Sequence, residues 1–296
     1  MHKFESRLVL GSVNFGVKYG ISNKMGIISQ QSIKNIIEVA SNGSIRFIDT
    51  AQDYGSSEKI LGEHYIKNFS LISKVGRLNC EKEQIKLLLK HRVLDTIKRL
   101  NVTKLYAILL HSPEELLEDN GSEIVSALRF LQDQGLVEKV GVSIYSPEIL
   151  KKIFKIFMPD LVQAPFNIFD QRINLSGMVE ILKNHGSEIH LRSTFLQGLL
   201  LLKEDEVPKK FLTQWPAEFK GWFNAQSKTE LNAVDLALSY SLSQKWADKI
   251  IVGVDHSRQL KQILDIEIAS NKRNDELFYS AVSDEDLINP SNWEKI

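Results

Sequence analysis

Residues 105–134 read LYAILLHSPEELLEDNGSEIVSALRFLQDQ, and the two ends of this stretch carry different patterns. Leu105 to Leu110 is a short, continuous apolar run, the pattern of a strand buried on both faces. The run stops at His111, and Ser112-Pro113 breaks the chain. From Gly121 to Gln134 the sequence turns amphipathic, as a helix does when one stripe lies against a sheet. The stretch is therefore one strand-loop-helix unit.

The same unit recurs in both directions. Apolar runs predict strands at Leu8 to Leu10, Arg46 to Ile48, Leu71 to Ser73, Leu105 to Leu110, Lys139 to Val142, Leu161 to Gln163, Ile189 to Arg192 and Lys249 to Val252. Amphipathic segments between them predict helices at Gln30 to Ala40, Ser57 to Tyr65, Lys82 to Arg99, Gly121 to Gln134, Pro147 to Ile156, Asn174 to Asn184 and Ala233 to Ser243. In Lys82 to Arg99, Ile85, Leu88, Leu89, Val93 and Ile97 recur every three or four residues, with charged residues between them. Ser146-Pro147-Glu148 reads as an N-cap followed by proline at the first helical position.

Eight strands alternating with helices imply an α/β fold, a closed (β/α)8 TIM barrel. No composition shift or Pro/Ser-rich linker interrupts the chain, so residues 1–296 are expected to form one domain. Its least regular piece, Lys203 to Lys228, holds Pro208, Trp215, Pro216 and Trp222 and reads as a long loop on the face where such barrels keep their chemistry. The charged tail from Arg273 to Ile296 holds Trp293 and is either a flap over the site or a loosely attached terminus.

Composition narrows the function classes. The 296 residues are 43% hydrophobic and 25% charged, ordinary for a globular protein. Lys plus Arg and Asp plus Glu each total 37, leaving no excess positive field for nucleic acid or an anionic membrane. The lone cysteine, Cys80, forms no internal disulfide, and no Cys/His spacing resembles a metal site. The apolar run in MHKFESRLVLGS is too short for a signal-peptide core, and the longest run, FLQGLLLL at Phe195 to Leu202, falls far short of a membrane span of about 18 residues. A soluble, cytoplasmic protein acting on a small molecule is the expectation.

Active sites of such barrels lie at the carboxyl ends of the strands. Strand two ends in Ile48-Asp49, followed by Thr50-Ala51-Gln52-Asp53-Tyr54-Gly55; strand three ends in Ser73-Lys74; strand four ends in Leu110-His111. Singly, Asp49 also reads as a helix cap, Lys74 as a strand-end cation, His111 as a core histidine and Tyr54 as a packing aromatic. Together at one rim, the four select a catalytic reading.

These segments resemble the aldo-keto reductase superfamily: IDTAQDYGSSE at 48–58, the SK of LISKVG, the LLH of YAILLH, GVS at Gly141 to Ser143 and VQAPFN at Val162 to Asn167. The resemblance runs roughly from Leu8 to Leu264, and it implies a catalytic tetrad of Asp49, Tyr54, Lys74 and His111. In such an enzyme NADPH or NADH delivers hydride to a carbonyl carbon, and a proton must reach the oxygen as charge develops there. Tyr54 is the implied donor. The Lys74 ammonium stabilises the phenolate, Asp49 keeps Lys74 charged, and a neutral His111 hydrogen-bonds the carbonyl oxygen.

The resemblance also implies cofactor contacts. Ser143 and Gln163 would hold the nicotinamide carboxamide, although Ile144 replaces the asparagine common among relatives. Arg192 in IHLRSTFLQGLL stands where many relatives stack an aromatic on the nicotinamide; a guanidinium stacks as well, or ends the strand in a salt bridge. Ser193, Leu196 and Gly198 would follow the pyrophosphate, with Gly11-Ser12-Val13 at the end of strand one. IIVGVDHSRQL, residues 250–260, would hold the adenosine end through Gly253, Asp255 and Arg258. Relatives that prefer NADP present Lys or Arg to the 2′-phosphate, whereas this segment offers Asp255 and His256 first, with Arg258 and Lys261 later. Asp255 then accepts from a ribose hydroxyl or caps the helix.

The function implied is an NAD(P)H-dependent reductase of an aldehyde, ketone or sugar-derived carbonyl. Two alternatives are a nicotinamide-binding regulatory subunit with little turnover and a barrel lyase or isomerase; the intact tetrad favours the reductase. The pocket is expected to be shaped by residues 203–228, the segment after Gly16 with Tyr19, Phe166 to Arg172 and the tail, with Tyr19, Trp215 and Trp222 available to stack on a ring.

Overall fold

The computed structural model describes residues 5–23, 26–64, 66–229, 231–270 and 281–294. Eight strands, β1 (Leu8–Gly11), β2 (Phe47–Asp49), β3 (Ser70–Val75), β4 (Leu105–Leu110), β5 (Val137–Ser143), β6 (Leu161–Pro165), β7 (Glu188–Arg192) and β8 (Lys249–Gly253), pair in sequence order. All pairs are parallel, and β1 pairs with both β2 and β8, closing the barrel. The expected (β/α)8 architecture is the observed one.

The continuous apolar runs have a physical reason. In β4, Ala107 and Leu109 join the cluster of Val9, Phe47, Ile72 and Leu161, while Ile108 and Leu110 join the larger core with helix residues such as Leu89, Val93 and Leu128. Each strand is buried on both faces, so no polar alternation is written into it. Helices cover the outside at Gln30–Asn42, Ser57–Gly62, Ile85–Arg99, Gly121–Asp133, Glu148–Ile153, Met178–His185, Ala233–Ser243 and Ser257–Ser270.

Several local expectations need correction. The segment read as a loop at 203–228 holds two helices, Lys209–Gln214 and Pro216–Thr229. Pro216 opens the second, where its missing N–H costs nothing. Trp215 and Trp222 are 6% and 1% exposed, their ring N–H groups donating to Asp284 Oδ2 and to the Leu200 carbonyl. They are core residues and present no ring to a ligand. The predicted helix from Asn174 to Asn184 is broken by Gly177, whose φ of 76° is left-handed, and Lys82–Gln84 is a 3-10 turn before the helix proper. Pro147 precedes the first helical residue, Glu148, whose N–H reaches Ser146 Oγ at 3.4 Å.

Of the tail, residues 273–280 and 295–296 lie outside the described residues, as does Tyr65 at the end of one predicted helix. Its described part folds back onto the helix Lys209–Gln214. Trp293 packs edge-on against Phe211 at 5.1 Å, and Lys210 Nζ donates to the Trp293 carbonyl. Among the described residues no helix is long and apolar enough to cross a membrane, and no group of three or more His, Cys, Asp or Glu is placed to hold a metal.

Candidate active site

At the carboxyl ends of the strands lies a cavity of about 300 Å³. Asp49, Tyr54 and His111 line it; Lys74 lies fully buried behind them. Lys74 Nζ donates to Asp49 Oδ1 at 2.5 Å, to the Thr50 carbonyl at 3.0 Å and to the Tyr54 hydroxyl oxygen at 3.3 Å. An ammonium has three hydrogens, so all are engaged. Burial works against the charge on Lys74, but the Asp49 carboxylate and the Tyr54 oxygen outweigh it and hold the lysine above its ordinary pKa. Asp49 is satisfied too, its Oδ2 accepting from Gln163 Nε2 at 2.6 Å.

Two features hold Tyr54 in this arrangement. The short helix Val13–Gly16 after β1 backs onto the Tyr54 loop so tightly that a Cβ on Gly16 would meet the Tyr54 carbonyl oxygen at 1.9 Å. Next, the helix Ser57–Gly62 is pinned by the buried Glu58, which accepts from Ser73 Oγ at 2.6 Å and Arg99 Nε at 2.7 Å. Ser73 neighbours Lys74 on β3, so one carboxylate ties the segment after Tyr54 to the strand that carries its lysine.

His111 lies edge-on to Tyr54, with ring centroids 5.9 Å apart. Burial, followed by the nearby Lys74 charge, lowers its pKa, with Asp53 opposing, so the ring is neutral at pH 7. His111 Nδ1 lies 3.1 Å from Asp53 Oδ2, a partner the sequence reading missed. The two atoms share the single ring proton when Asp53 is ionised, and the proton on Nδ1 leaves Nε2 as an acceptor.

Of the proposed cofactor contacts, Gly11, Ser12, Val13, Ser143, Gln163, Arg192 and Ser193 line the cavity, as do Gly198, Gly253 and Asp255. Leu196 does not: its side chain is fully buried in the core. Nor does Arg258, which is exposed and faces a separate surface cleft with Lys261 and Asp265. Ser12 Oγ is spent within the protein, donating to the Asp49 carbonyl and accepting from Ser57 Oγ. Gly198, at φ 89°, makes a close approach to the protein itself, since a Cβ there would lie 2.0 Å from Ser22 Oγ.

Among the described residues Arg192 makes no salt bridge. Its Nη2 donates to the Ile144 carbonyl at 2.9 Å and its guanidinium lies 4.6 Å over the Tyr145 ring. Asp255 does not cap the following helix; Gln259 Oε1 accepts from the Asp255 and His256 N–H groups instead. The Asp255 carboxylate takes Asn14 Nδ2 at 2.6 Å, another partner missed. Neither residues 203–228 nor Phe166 to Arg172 line the cavity, whereas Tyr19, Gly20 and Ser22 do.

Three buried polar atoms on cavity-lining residues have no partner among the described residues: Gln163 Oε1, Asn14 Oδ1 and Thr194 Oγ1. Buried polar groups are seldom left so. The backbone agrees, since Ser193, Leu196 and Gln197 all hold φ between 46° and 63°, and left-handed strain of this kind collects at binding sites.

Comparison with known proteins fits this geometry. The protein is similar to the uncharacterized oxidoreductase YqkF of Bacillus subtilis, 25% identical over 273 residues that cover 84% of this chain and 87% of that one. It is similar to D-arabinose 1-dehydrogenase of Saccharomyces cerevisiae, 24% identical over 258 residues, covering 79% and 76%. Among solved structures, the holo form of aldo-keto reductase AKR11C1 from Bacillus halodurans shares the fold, with a TM-score of 0.69 at 19% identity over 93% of this chain and 94% of that one. The sequence profile of the Aldo/keto reductase family matches residues 7–276, nearly the whole barrel, and the chain belongs to that family.

Proposed function

We propose that this chain is an NAD(P)H-dependent reductase of a small aldehyde, ketone or sugar-derived carbonyl, with Tyr54 as proton donor. The observation that carries the reading is the Lys74 ammonium, which gives Asp49 and Thr50 two hydrogens and offers its third to the Tyr54 oxygen. With that oxygen accepting from Lys74, the phenolic hydrogen is left to point into the cavity. A positive charge behind the phenol also stabilises the phenolate left after transfer.

The residues present fit a nicotinamide. Gln163 is locked by donating Nε2 to Asp49, so its orphaned Oε1 is an acceptor for a carboxamide N–H, with the Ser143 hydroxyl beside it on the neighbouring strand. The bound cofactor supplies the hydride. Tyr54 supplies the proton, and carbonyl plus hydride plus proton gives the alcohol. Asp49 holds Lys74 in place and charged, and His111 orients the carbonyl when its proton sits on Nε2. The name of the yeast relative suits a sugar-derived carbonyl. The lone Cys80 is in keeping with a cytoplasmic protein of one barrel domain.

Tyr54→Phe separates binding from chemistry, because it removes one oxygen and keeps the ring. Turnover should fall by about 10²- to 10⁴-fold while cofactor affinity, read by fluorescence titration, stays unchanged. Undiminished turnover removes Tyr54 as the acid. A wild type that binds cofactor yet turns over no carbonyl would instead be a regulatory subunit.

A further inference from the structure

We infer that the cofactor is NADH and that Asp255 excludes NADPH, an inference that rests on the nicotinamide reading of the cavity. The cavity continues from Asp49 and Tyr54 past the ends of β1 and β7 to the end of β8, where Asp255, Gln259 and Gln262 line it. A dinucleotide whose nicotinamide lies against Tyr54 carries its adenosine to that far end.

Charge there is wrong for a phosphate. Among the described residues lining this end, Asp255 is the one ionisable side chain. Arg192 is the one Lys or Arg among the described residues that line the cavity, and it is committed to the Ile144 carbonyl and the Tyr145 ring at the catalytic end. Arg258 and Lys261 line the surface cleft on the far side of Gln262, beside Asp265, and do not line the cavity.

Backbone donors do not make up the deficit. The helix Ser257–Ser270 begins beside Asp255, and helix N-termini ordinarily offer free N–H groups to anions. Here Gln259 Oε1 takes the N–H groups of Asp255 and His256 at 2.7 and 3.0 Å, and His256 Nδ1 takes that of Arg258 at 3.1 Å. These three N–H groups are taken from within.

What remains suits hydroxyls. Asn14 is 8% exposed and gives its amide hydrogen to Asp255 Oδ1, which fixes the carboxylate at the cavity wall. The two carboxylate oxygens of Asp255 only accept, which matches them to the donor hydroxyls of a ribose. A 2′-phosphate would set a dianion against that carboxylate, with no cation among the described residues lining this end to offset it.

The test uses the purified, cofactor-free protein and reads binding by calorimetry. The probes are NADH, NADPH and two fragments of the adenosine end, 5′-AMP and 2′,5′-ADP. NADH should bind at least about twentyfold tighter than NADPH, and 5′-AMP should outbind 2′,5′-ADP in parallel. Asp255→Asn keeps the shape and an acceptor for Asn14, and should narrow the NADH preference about tenfold, chiefly by improving NADPH. Equal or tighter NADPH binding overturns the inference and leaves the nicotinamide reading standing. A preference for NADH that Asp255→Asn leaves untouched overturns Asp255 as its cause. Failure of both dinucleotides to bind at millimolar concentration overturns the nicotinamide reading itself.

Discussion

Gly16 backs directly onto Tyr54: a side chain at Gly16 would begin 1.9 Å from the Tyr54 carbonyl oxygen and 2.5 Å from the Ser57 nitrogen. Both contacts are backbone, so no flexible side chain can swing away. From the other side, Gly55 holds φ 57° and any Cβ there would meet the Gly16 carbonyl at 2.7 Å. The two glycines set how closely the end of β1 approaches the loop that aims the phenol.

Gly16→Ala should therefore displace Tyr54 without dismantling the barrel. A shift of about 1 Å at a catalytic group costs about 10²-fold in rate, and local overpacking costs about 1–3 kcal/mol of stability. Turnover and thermal melting of the variant measure both. Gly221→Ala is the control, because nothing lies within 4 Å of a Cβ at that position; it should leave turnover unchanged and, being inside the helix Pro216–Thr229, raise stability by about 0.5–1 kcal/mol. Wild-type turnover in Gly16→Ala would mean that Tyr54 does not depend on this contact.

How much of this was legible in the sequence follows from where each interaction is written. The eight strands were visible because burial on both faces produces unbroken apolar runs, and the clustering of Asp49, Tyr54, Lys74 and His111 was visible because each ends or follows a strand. The helices at 209–229 were missed because Pro208 and Pro216 were read as loop punctuation, although Phe211, Trp215, Phe219 and Trp222 recur at helical spacing. Asp53 on His111 and Asn14 on Asp255 join residues 58 and 241 positions apart; no local pattern encodes such pairs. Arg258 was expected at the cavity but does not line it, because its direction depends on which face of the helix Ser257–Ser270 packs inward.

Lys74→Met should cost stability as well as rate. The substitution leaves Asp49, 3% exposed, with Gln163 as its remaining side-chain partner. Removing one member of a buried pair commonly costs about 3–5 kcal/mol. Adding Asp49→Asn removes the stranded charge, so the double variant should recover about 1–3 kcal/mol relative to the sum of the singles while turnover stays low. Denaturant melts of the four proteins complete the cycle. Strict additivity would show that the pair contributes no coupling.

His111 gives a pH signature with a definite sign. Its pKa lies below 6.5, lowered by burial and by Lys74 and opposed by Asp53. The neutral ring has one proton for both Asp53 and the substrate; the imidazolium has a proton for each. The KM for the carbonyl should therefore fall as pH drops below 6.5, by about three- to tenfold for one added hydrogen bond. Asp53→Asn removes a carboxylate that favours the imidazolium, so the transition should move to still lower pH. Movement to higher pH would contradict the assigned partner.

The last prediction concerns the opposite end of the barrel. Glu188 opens β7 and accepts from Lys139 Nζ at 2.5 Å and from Tyr106 Oη at 2.6 Å, with His190 Nε2 at 3.1 Å. Burial pushes its pKa up, but the hydrogen bonds from His190, Lys139 and Tyr106 outweigh this and bring it from 4.5 down to about 2. A carboxylate with a depressed folded-state pKa adds stability above its unfolded value, and that stability is lost as pH falls from about 4.5 towards 2. At neutral pH the contribution is on the order of 2–3 kcal/mol, since one pKa unit is about 1.4 kcal/mol and the side chain keeps some solvent contact. Glu188→Gln keeps the shape and removes the charge, so it should be less stable than wild type by that order at pH 7, and the two should converge only as pH approaches about 2. Urea melts at a series of pH values give the comparison directly. Parallel curves with a constant offset would show that Glu188 acts by packing rather than by charge.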